Sequence, residues 1–450
     1  MTSTSPSGNL LPSDGPVRSD GQAILTPSHT GRRSSIVAGA IGNMLEWYDF
    51  AAYGYFSAVI GQNFFPSANH AASLLSAFAV FAAAFFMRPI GGAVFGHVGD
   101  RYGRKTALVL SAGLMTVSTF AMGCLPTYET AGLLAPVLLV LLRLGQGLSV
   151  GGEYTSSAIF LAETAEPRRR GLTGSLACIG AASGIMAGSI LGAIVTGLLT
   201  PDEVREWGWR IPFLLGIGLG AFIFVLRRHM DDRHVEEALA EDPALSDERS
   251  PLRAAIENDG PAMLRAFAMN LALAVSFYVV FVYLATYMHG VLGLSQSTAL
   301  LINSTAMAVH IACIPVMGAL SDRFGRKPVL IAAATGLVLL SWPLFLLFGS
   351  GRPAMILLGQ IVFAVLIAGY GTVIPVAFVE MFKHRSRCTA LAISFNASMA
   401  LVGGTAPMVA TWIVHHLQFP TGPGLYVAAL SFVSLGAILT MRDRTGAPLA

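Results

Sequence analysis

The sequence predicts an all-α membrane protein of about twelve transmembrane helices, built as two related six-helix halves with both termini cytoplasmic. Three observations predict it: long apolar runs, a one-sided distribution of Lys and Arg, and a loop that occurs twice. The chain of 450 residues is 54% hydrophobic and only 12% charged, with a mean hydropathy of +0.65. Soluble domains carry about 25% charged residues. Halving that fraction leaves too little polar surface for a water-soluble fold, whereas runs near the ~20 residues that cross a bilayer suit a membrane protein.

Residues 1–33 are rich in Ser, Pro, Gly and Thr and lack the charged start and apolar core of a cleaved leader, so they read as a disordered cytoplasmic tail. The N-terminal half follows at 34–229, with apolar runs at 35–60, 71–96, 106–125, 132–161, 172–199 and 208–229. Residues 230–262 are the long hydrophilic stretch, with Asp231, Asp232, Arg233, Glu236, Glu237, Glu241 and Asp242, and read as a central cytoplasmic loop. The C-terminal half occupies 263–441, with runs at 263–289, 297–320, 328–349, 353–381, 388–416 and 422–441, and a short cytoplasmic tail covers 442–450.

With the N-terminus inside, 23 of the 28 Lys and Arg residues fall on the cytoplasmic side. Arg205, Arg210 and Arg352 fall outside, and Arg88 and Arg143 lie within spans. Positive residues concentrate in cytoplasmic loops, and one miscounted span would scramble the bias, so the number of spans is even. The net charge of +3 is small and scattered, which excludes a nucleic-acid footprint. Cys124, Cys178, Cys313 and Cys388 are far apart and show no metal or disulfide spacing, so no metal and no cofactor are expected. A channel would need a repeated pore ring, and a membrane enzyme a nucleophile and base facing a cavity; His415-His416 is a lone pair at an outer helix end.

The duplicated loop reads Gly96-His-Val-Gly-Asp100-Arg101-Tyr-Gly103-Arg104-Lys105 and Gly318-Ala-Leu-Ser-Asp322-Arg323-Phe-Gly325-Arg326-Lys327. Asp100 and Asp322 stand 222 positions apart, and each loop follows the second span of its half. A parallel six-helix duplication explains this. Gly96 and Gly318 allow close helix approach, Gly103 and Gly325 allow a tight turn, and the Asp can pair with Arg or cap a helix N-terminus. The cluster reads as a cytoplasmic latch; positive charge that merely fixes topology is the plainer reading. Glu163 and Glu380 occupy matching cytoplasmic ends of spans four and ten and are placed with the latch.

These loops resemble the signature of the major facilitator superfamily. Gly42-Asn43-Met-Leu-Glu46-Trp47-Tyr48-Asp49-Phe50, Arg88-Pro89-Ile-Gly91-Gly92, Arg143-Leu-Gly-Gln146-Gly147-Leu-Ser-Val-Gly151-Gly152-Glu153-Tyr154 and Trp207-Gly208-Trp209-Arg210-Ile-Pro212-Phe213 narrow the match. Together they resemble the metabolite:proton symporter family, whose carriers take dicarboxylates, citrate, shikimate, and proline or betaine. In the second half Glu380, Arg387, Asn396, Gly403, Gly404 and Pro407 fit the pattern, and Phe395 stands where a Tyr is expected before the Asn. The resemblance implies the major facilitator fold, alternating access, an inner-membrane location and a proton as coupling ion.

An ionisable group at the bilayer centre costs at least about 2.5–3.5 kcal/mol and needs a partner or a wet cavity. Glu46 and Asp49 share a face of span one with Tyr53, and Arg143 shares a face of span four with Gln146 and Glu153. Glu46, Asp49 and Arg143 fall at similar depth by helical rise. Asp49, Glu46, Arg143 and Glu153 are therefore the proton-coupling candidates; a permanent ion pair joining spans one and four is the alternative. Arg88 could hold a substrate carboxylate or the adjacent loop. Arg143, Gln146, Tyr53, Tyr283, Tyr287, Gln360, Tyr370 and Asn396 are the other substrate-binding candidates, and His310 is either a proton site or a hydrogen-bonded structural His. The expected activity is proton-coupled import of a small polar metabolite, an organic acid anion first, a zwitterionic osmolyte such as proline or betaine second, with efflux a third reading. The expected partners are that metabolite, protons and the lipid bilayer, and the expected state is a monomer.

Overall fold

The computed structural model describes residues 44–102, 104–150, 153–228, 251–383 and 387–449. They form twelve helical spans: α1 (44–64, bent at Phe56), α2 (His70–Tyr102), α3 (Arg104–Gly123), α4 (Leu134–Glu163), α5 (Arg170–Leu198) and α6 (Ile211–Arg228) in the first half. The second half holds α7 (251–290), α8 (Gln296–Phe324), α9 (Arg326–Phe348), α10 (Pro353–Met381), α11 (Arg387–His415) and α12 (Gly422–Leu439). Among the described residues, nine of these are long and apolar enough to cross a bilayer, and α3 adds a shorter apolar stretch, Val109–Gly123. The twelve-helix expectation therefore holds.

Several helices outrun the apolar runs at the cytoplasmic side. α7 starts at Pro251, so residues 251–262, assigned by composition to the central loop, are helical. Arg253, Glu257 and Asp259 make that stretch hydrophilic without breaking it: polarity marks where a helix leaves the bilayer, not where it ends. Residues 1–33, 230–250 and Gly103 lie outside the described residues.

Packing repeats the duplication. α2 packs on α4 and α3 on α6 in the first half, and their counterparts α8 on α10 and α9 on α12 in the second. The halves meet along α5 and α8, and along the equivalent pair α11 and α2. Small residues permit the α5–α8 crossing. A Cβ on Gly318 would stand 2.7 Å from the carbonyl oxygen of Gly171, and one on Gly171 would meet the Gly318 carbonyl at 2.5 Å. The first glycine of the second loop is thus a contact between halves, as its type predicts. Gly325, the second, ends α8 at φ +100°, in the left-handed region that favours glycine. We expect Gly318→Val to reach the membrane but to lose at least about tenfold of its uptake rate, because overpacking this crossing by about 1–3 kcal/mol opposes closure of the cytoplasmic side. Uptake normalised to membrane-inserted protein checks this, and an unchanged rate would contradict it.

Candidate functional site

Glu46, Trp47, Asp49, Phe50 and Tyr53 lie within about two turns of α1, and all are buried. Asp49 is fully buried. Its Oδ2 accepts from Arg143 NH1 at 2.9 Å, and its Oδ1 accepts from Gln146 Nε2 at 2.8 Å and Thr119 Oγ1 at 2.9 Å. Gln146 Oε1 accepts a further bond from Arg143 NH1 at 2.9 Å, so α1, α3 and α4 are joined through one carboxylate. The expected pairing of Asp49 with Arg143 is present, with Gln146 as its clamp. Glu153 begins the last part of α4; its side chain lies outside the described residues.

Glu46 pairs with the second intramembrane arginine, Arg88 of α2, at 3.3 Å, both nearly inaccessible. The Phe50 ring meets both guanidiniums, with Arg88 Cζ and Arg143 Cζ each 4.7 Å from its centroid. Arg88 also sits 4.2 Å over Phe85, and Arg143 4.2 Å over Tyr53. Such ring faces stabilise a desolvated cation by about 2 kcal/mol, which helps keep both arginines in the membrane. Around Arg88 the halves touch through aromatic rings: Trp47 of α1 against Phe277 and Tyr278 of α7, and Tyr154 of α4 against Phe395 of α11. Arg88 Nε, Trp47 Nε1 and the Tyr278 hydroxyl are buried with no hydrogen-bond partner among the described residues. Trp47 and Tyr154 enter the sequence reading only as members of motifs, and none of Trp47, Tyr154 and Tyr278 is among its site candidates.

Toward the outer side, a second polar cluster ties α1, α5, α7, α8 and α10. α7 takes a π-helical turn at Val279–Tyr283. The carbonyl of Phe281 there accepts from the Tyr55 hydroxyl at 2.8 Å and from Asn303 at 3.3 Å, and Val280 accepts from Gln360 at 3.0 Å. Asn303 Nδ2 also donates to the Tyr55 hydroxyl at 2.8 Å and Ser189 Oγ at 3.1 Å, while its Oδ1 accepts from Gln360 at 2.7 Å. Gln360 thus sits in this inter-half cluster, away from Arg88. The Tyr370 hydroxyl bonds Met269 O within the second half. Tyr283 lies edge-on to Phe78 of the first half, whereas Tyr287 packs on Phe345. Asn396 is buried on α11. His310 Nδ1 is 3.0 Å from Ala364 O between Phe277 and Phe281, which matches the hydrogen-bonded structural reading.

On the cytoplasmic side charged groups join the two halves. Asp322 accepts from the backbone N–H of Gly171 and of Leu172, each at 2.8 Å, at the start of α5. Arg326 bonds Asp322 at 2.7 Å, Ser321 at 2.7 Å and both oxygens of Glu380 at 3.2 and 3.3 Å. Arg170 of the first half approaches Glu380 at 3.8 Å and donates to Ala447 O at 2.7 Å, and Arg387 of the second half bonds Glu163 of the first. Lys327 donates to Leu439 O and Met441 O, and Arg323 lies exposed over Phe324. Asp443 completes the strap. Partial burial pulls its carboxyl up, but hydrogen bonds from Thr445 and from the backbone N–H of Lys327 and Arg326 hold it below its ordinary value. In the first loop, Arg101 lies over Tyr102; Gly96, Asp100, Arg104 and Lys105 are helical in backbone, with side chains outside the described residues.

Comparison with known proteins agrees with this architecture. A family profile described as "Sugar (and other) transporter" matches residues 35–443. The glycine betaine/proline/ectoine/pipecolic acid transporter OusA of Dickeya dadantii (strain 3937) is 34% identical over 93% of this chain and 84% of its own. The proline/betaine transporter of Escherichia coli (strain K12) is 33% identical over 93% and 85%, and a putative proline/betaine transporter of Staphylococcus aureus (strain COL) is 38% identical over 89% and 86%. Among solved structures, the proton:xylose symporter XylE bound to 6-bromo-6-deoxy-D-glucose superposes with a TM-score of 0.73 at 19% identity, covering 93% of this chain and 98% of that one. The latch, the duplicated packing and these matches agree: the chain is a multi-pass inner-membrane transporter, not an enzyme, and belongs to the sugar (and other) transporter family of the major facilitator superfamily.

Proposed function

We propose that this carrier imports a small zwitterion of the proline or betaine kind, driven by protons. The observation that supports this most directly is the charge count at the site. Two guanidiniums, Arg88 and Arg143, face two carboxylates, Glu46 and Asp49, each pair within 3.3 Å. A di- or tricarboxylate would bring two or three negative charges to a buried site whose positive charge is already neutralised, and unpaired buried charge costs several kcal/mol per ion. A cargo with one charge of each sign can bind beside the Arg88–Glu46 pair and leave the total unchanged. The resemblance to proline and betaine transporters supports the same reading over the organic acid anion.

Coupling is assigned to Asp49. Protonating it would leave Arg143 uncompensated in a fully buried site, so proton binding and the present position of Arg143 exclude one another. That exclusivity supports linking the proton to helix movement. The test is counterflow in proteoliposomes of the purified chain against a panel of proline, glycine betaine, succinate and citrate. We expect exchange of the zwitterions and none of the acids, and, under an imposed proton gradient, accumulation that a protonophore abolishes. Preferential exchange of succinate or citrate would contradict the reading, and accumulation that rises with protonophore would indicate efflux.

A further inference from the structure

We propose, resting on the reading that the cargo is a small zwitterion, that the ring faces of Trp47 and Tyr278 are the walls of a quaternary-ammonium subsite, with Arg88 holding the cargo carboxylate beside it. Trp47 belongs to the first half and Tyr278 to the second. Their rings are stacked, with centroids 6.2 Å apart and planes at 21°. Phe277 and Tyr154 stand edge-on to Trp47 at 5.6 and 6.0 Å, and Phe85 edge-on to Tyr278 at 5.3 Å. Arg88 Cζ lies 5.9 Å from the Trp47 centroid, so a carboxylate held by this guanidinium is near the ring pair.

Three donors in this cluster are buried with no hydrogen-bond partner among the described residues: Arg88 Nε, Trp47 Nε1 and the Tyr278 hydroxyl. Each costs about 1–3 kcal/mol when left so, and three together mark a place where polar groups of a guest belong. A cation is attracted to a ring face within about 6 Å of its centroid. The two walls touch in this conformation, so the guest enters when α1 and α7 part and is enclosed when the halves close on it.

The chemistry favours a fully methylated ammonium. A secondary ammonium carries two N–H donors that need acceptors, and the neighbouring carboxylate, Glu46, is engaged by Arg88 at 3.3 Å. An N-trimethyl group has no donors and needs only the ring faces. The site is therefore assigned a preference for betaine-type over proline-type cargo.

The test measures half-saturation for glycine betaine and for proline by counterflow in wild type, Trp47→Leu, Tyr278→Leu, Trp47→Tyr and Trp47→Phe. We expect the betaine-to-proline preference to fall at least about tenfold in both Leu variants, and to weaken in the order Trp, Tyr, Phe at position 47. The ring-preserving series decides the matter should the Leu variants fail to fold. Preference unchanged across the series, or both cargos weakened in equal proportion, overturns the aromatic walls while leaving the zwitterion reading intact. Exchange of neither zwitterion by the wild type overturns that reading and the subsite with it.

Discussion

Asp49→Asn should abolish uphill accumulation while leaving downhill exchange in place. For one proton per cargo, a gradient of one pH unit supports about tenfold accumulation, since each unit is worth about 1.4 kcal/mol. The variant should reach equal concentrations inside and out under the same gradient. The amide keeps an acceptor for Thr119 and Gln146, whose bonds at 2.9 and 2.8 Å place this side chain, but it cannot gain or lose the proton. If the Asp49–Arg143 pair were only a brace between α1 and α4, accumulation and exchange would fall together, because breaking a buried pair costs about 3–5 kcal/mol. The two measurements on one preparation separate a coupling residue from a brace. Undiminished accumulation would remove Asp49 from the coupling step.

The depth of each charged group can be read from the sequence, because helical rise converts residue number into distance from the membrane surface. That is why Asp49 and Arg143 can be brought together on paper, and why the matched positions of Glu163 and Glu380 point to the latch that Arg387 and Arg326 complete. Direction around a helix relative to another half is not encoded in spacing. Arg88 shows the consequence. Its depth leaves a substrate and the adjacent loop equally open, whereas the structure turns it toward Glu46 and the rings of Phe50 and Phe85. Trp47 and Tyr278 are hidden for the same reason. Each is one apolar aromatic among many until the halves are docked and their faces meet.

Gln360 and Tyr370 illustrate a second limit. A polar side chain in a span must bond something, and cavity and backbone carbonyl look alike in sequence. The π turn of α7 redirects carbonyls at Val280 and Phe281, and Gln360, Asn303 and Tyr55 gather on them. No residue type announces such a turn. The glycine pattern was the more informative signal, since Gly318 and Gly325 each do what a missing side chain permits: one lets α5 approach α8, the other turns the chain into α9.

Asp322→Ala should shift the resting carrier toward the state open to the cytoplasm by about a hundredfold or more. Asp322 bonds the two halves directly through the N–H groups of Gly171 and Leu172, and it sits at the N-terminus of α5, where the helix dipole favours an anion. Each charge-assisted bond contributes about 1.5–3 kcal/mol, so losing two removes roughly 3 kcal/mol or more from the closed state. At about 1.4 kcal/mol per factor of ten, that exceeds a hundredfold. Arg326 loses a partner as well, but it keeps Glu380, so the second half stays folded while its tie to the first half is released. A cysteine placed at Ser175, just inside the latch on α5 and buried in the closed state, should then react with a membrane-impermeant maleimide in inside-out vesicles far faster than in the parent chain. Net uptake should fall at the same time, because the carrier returns slowly to its outward-facing state. Charge alone does not explain the effect: Asp322→Asn keeps an acceptor for only part of the bonding and should fall between the parent and the Ala variant. Equal labelling rates in all three chains would show that the loop fixes topology and does not gate.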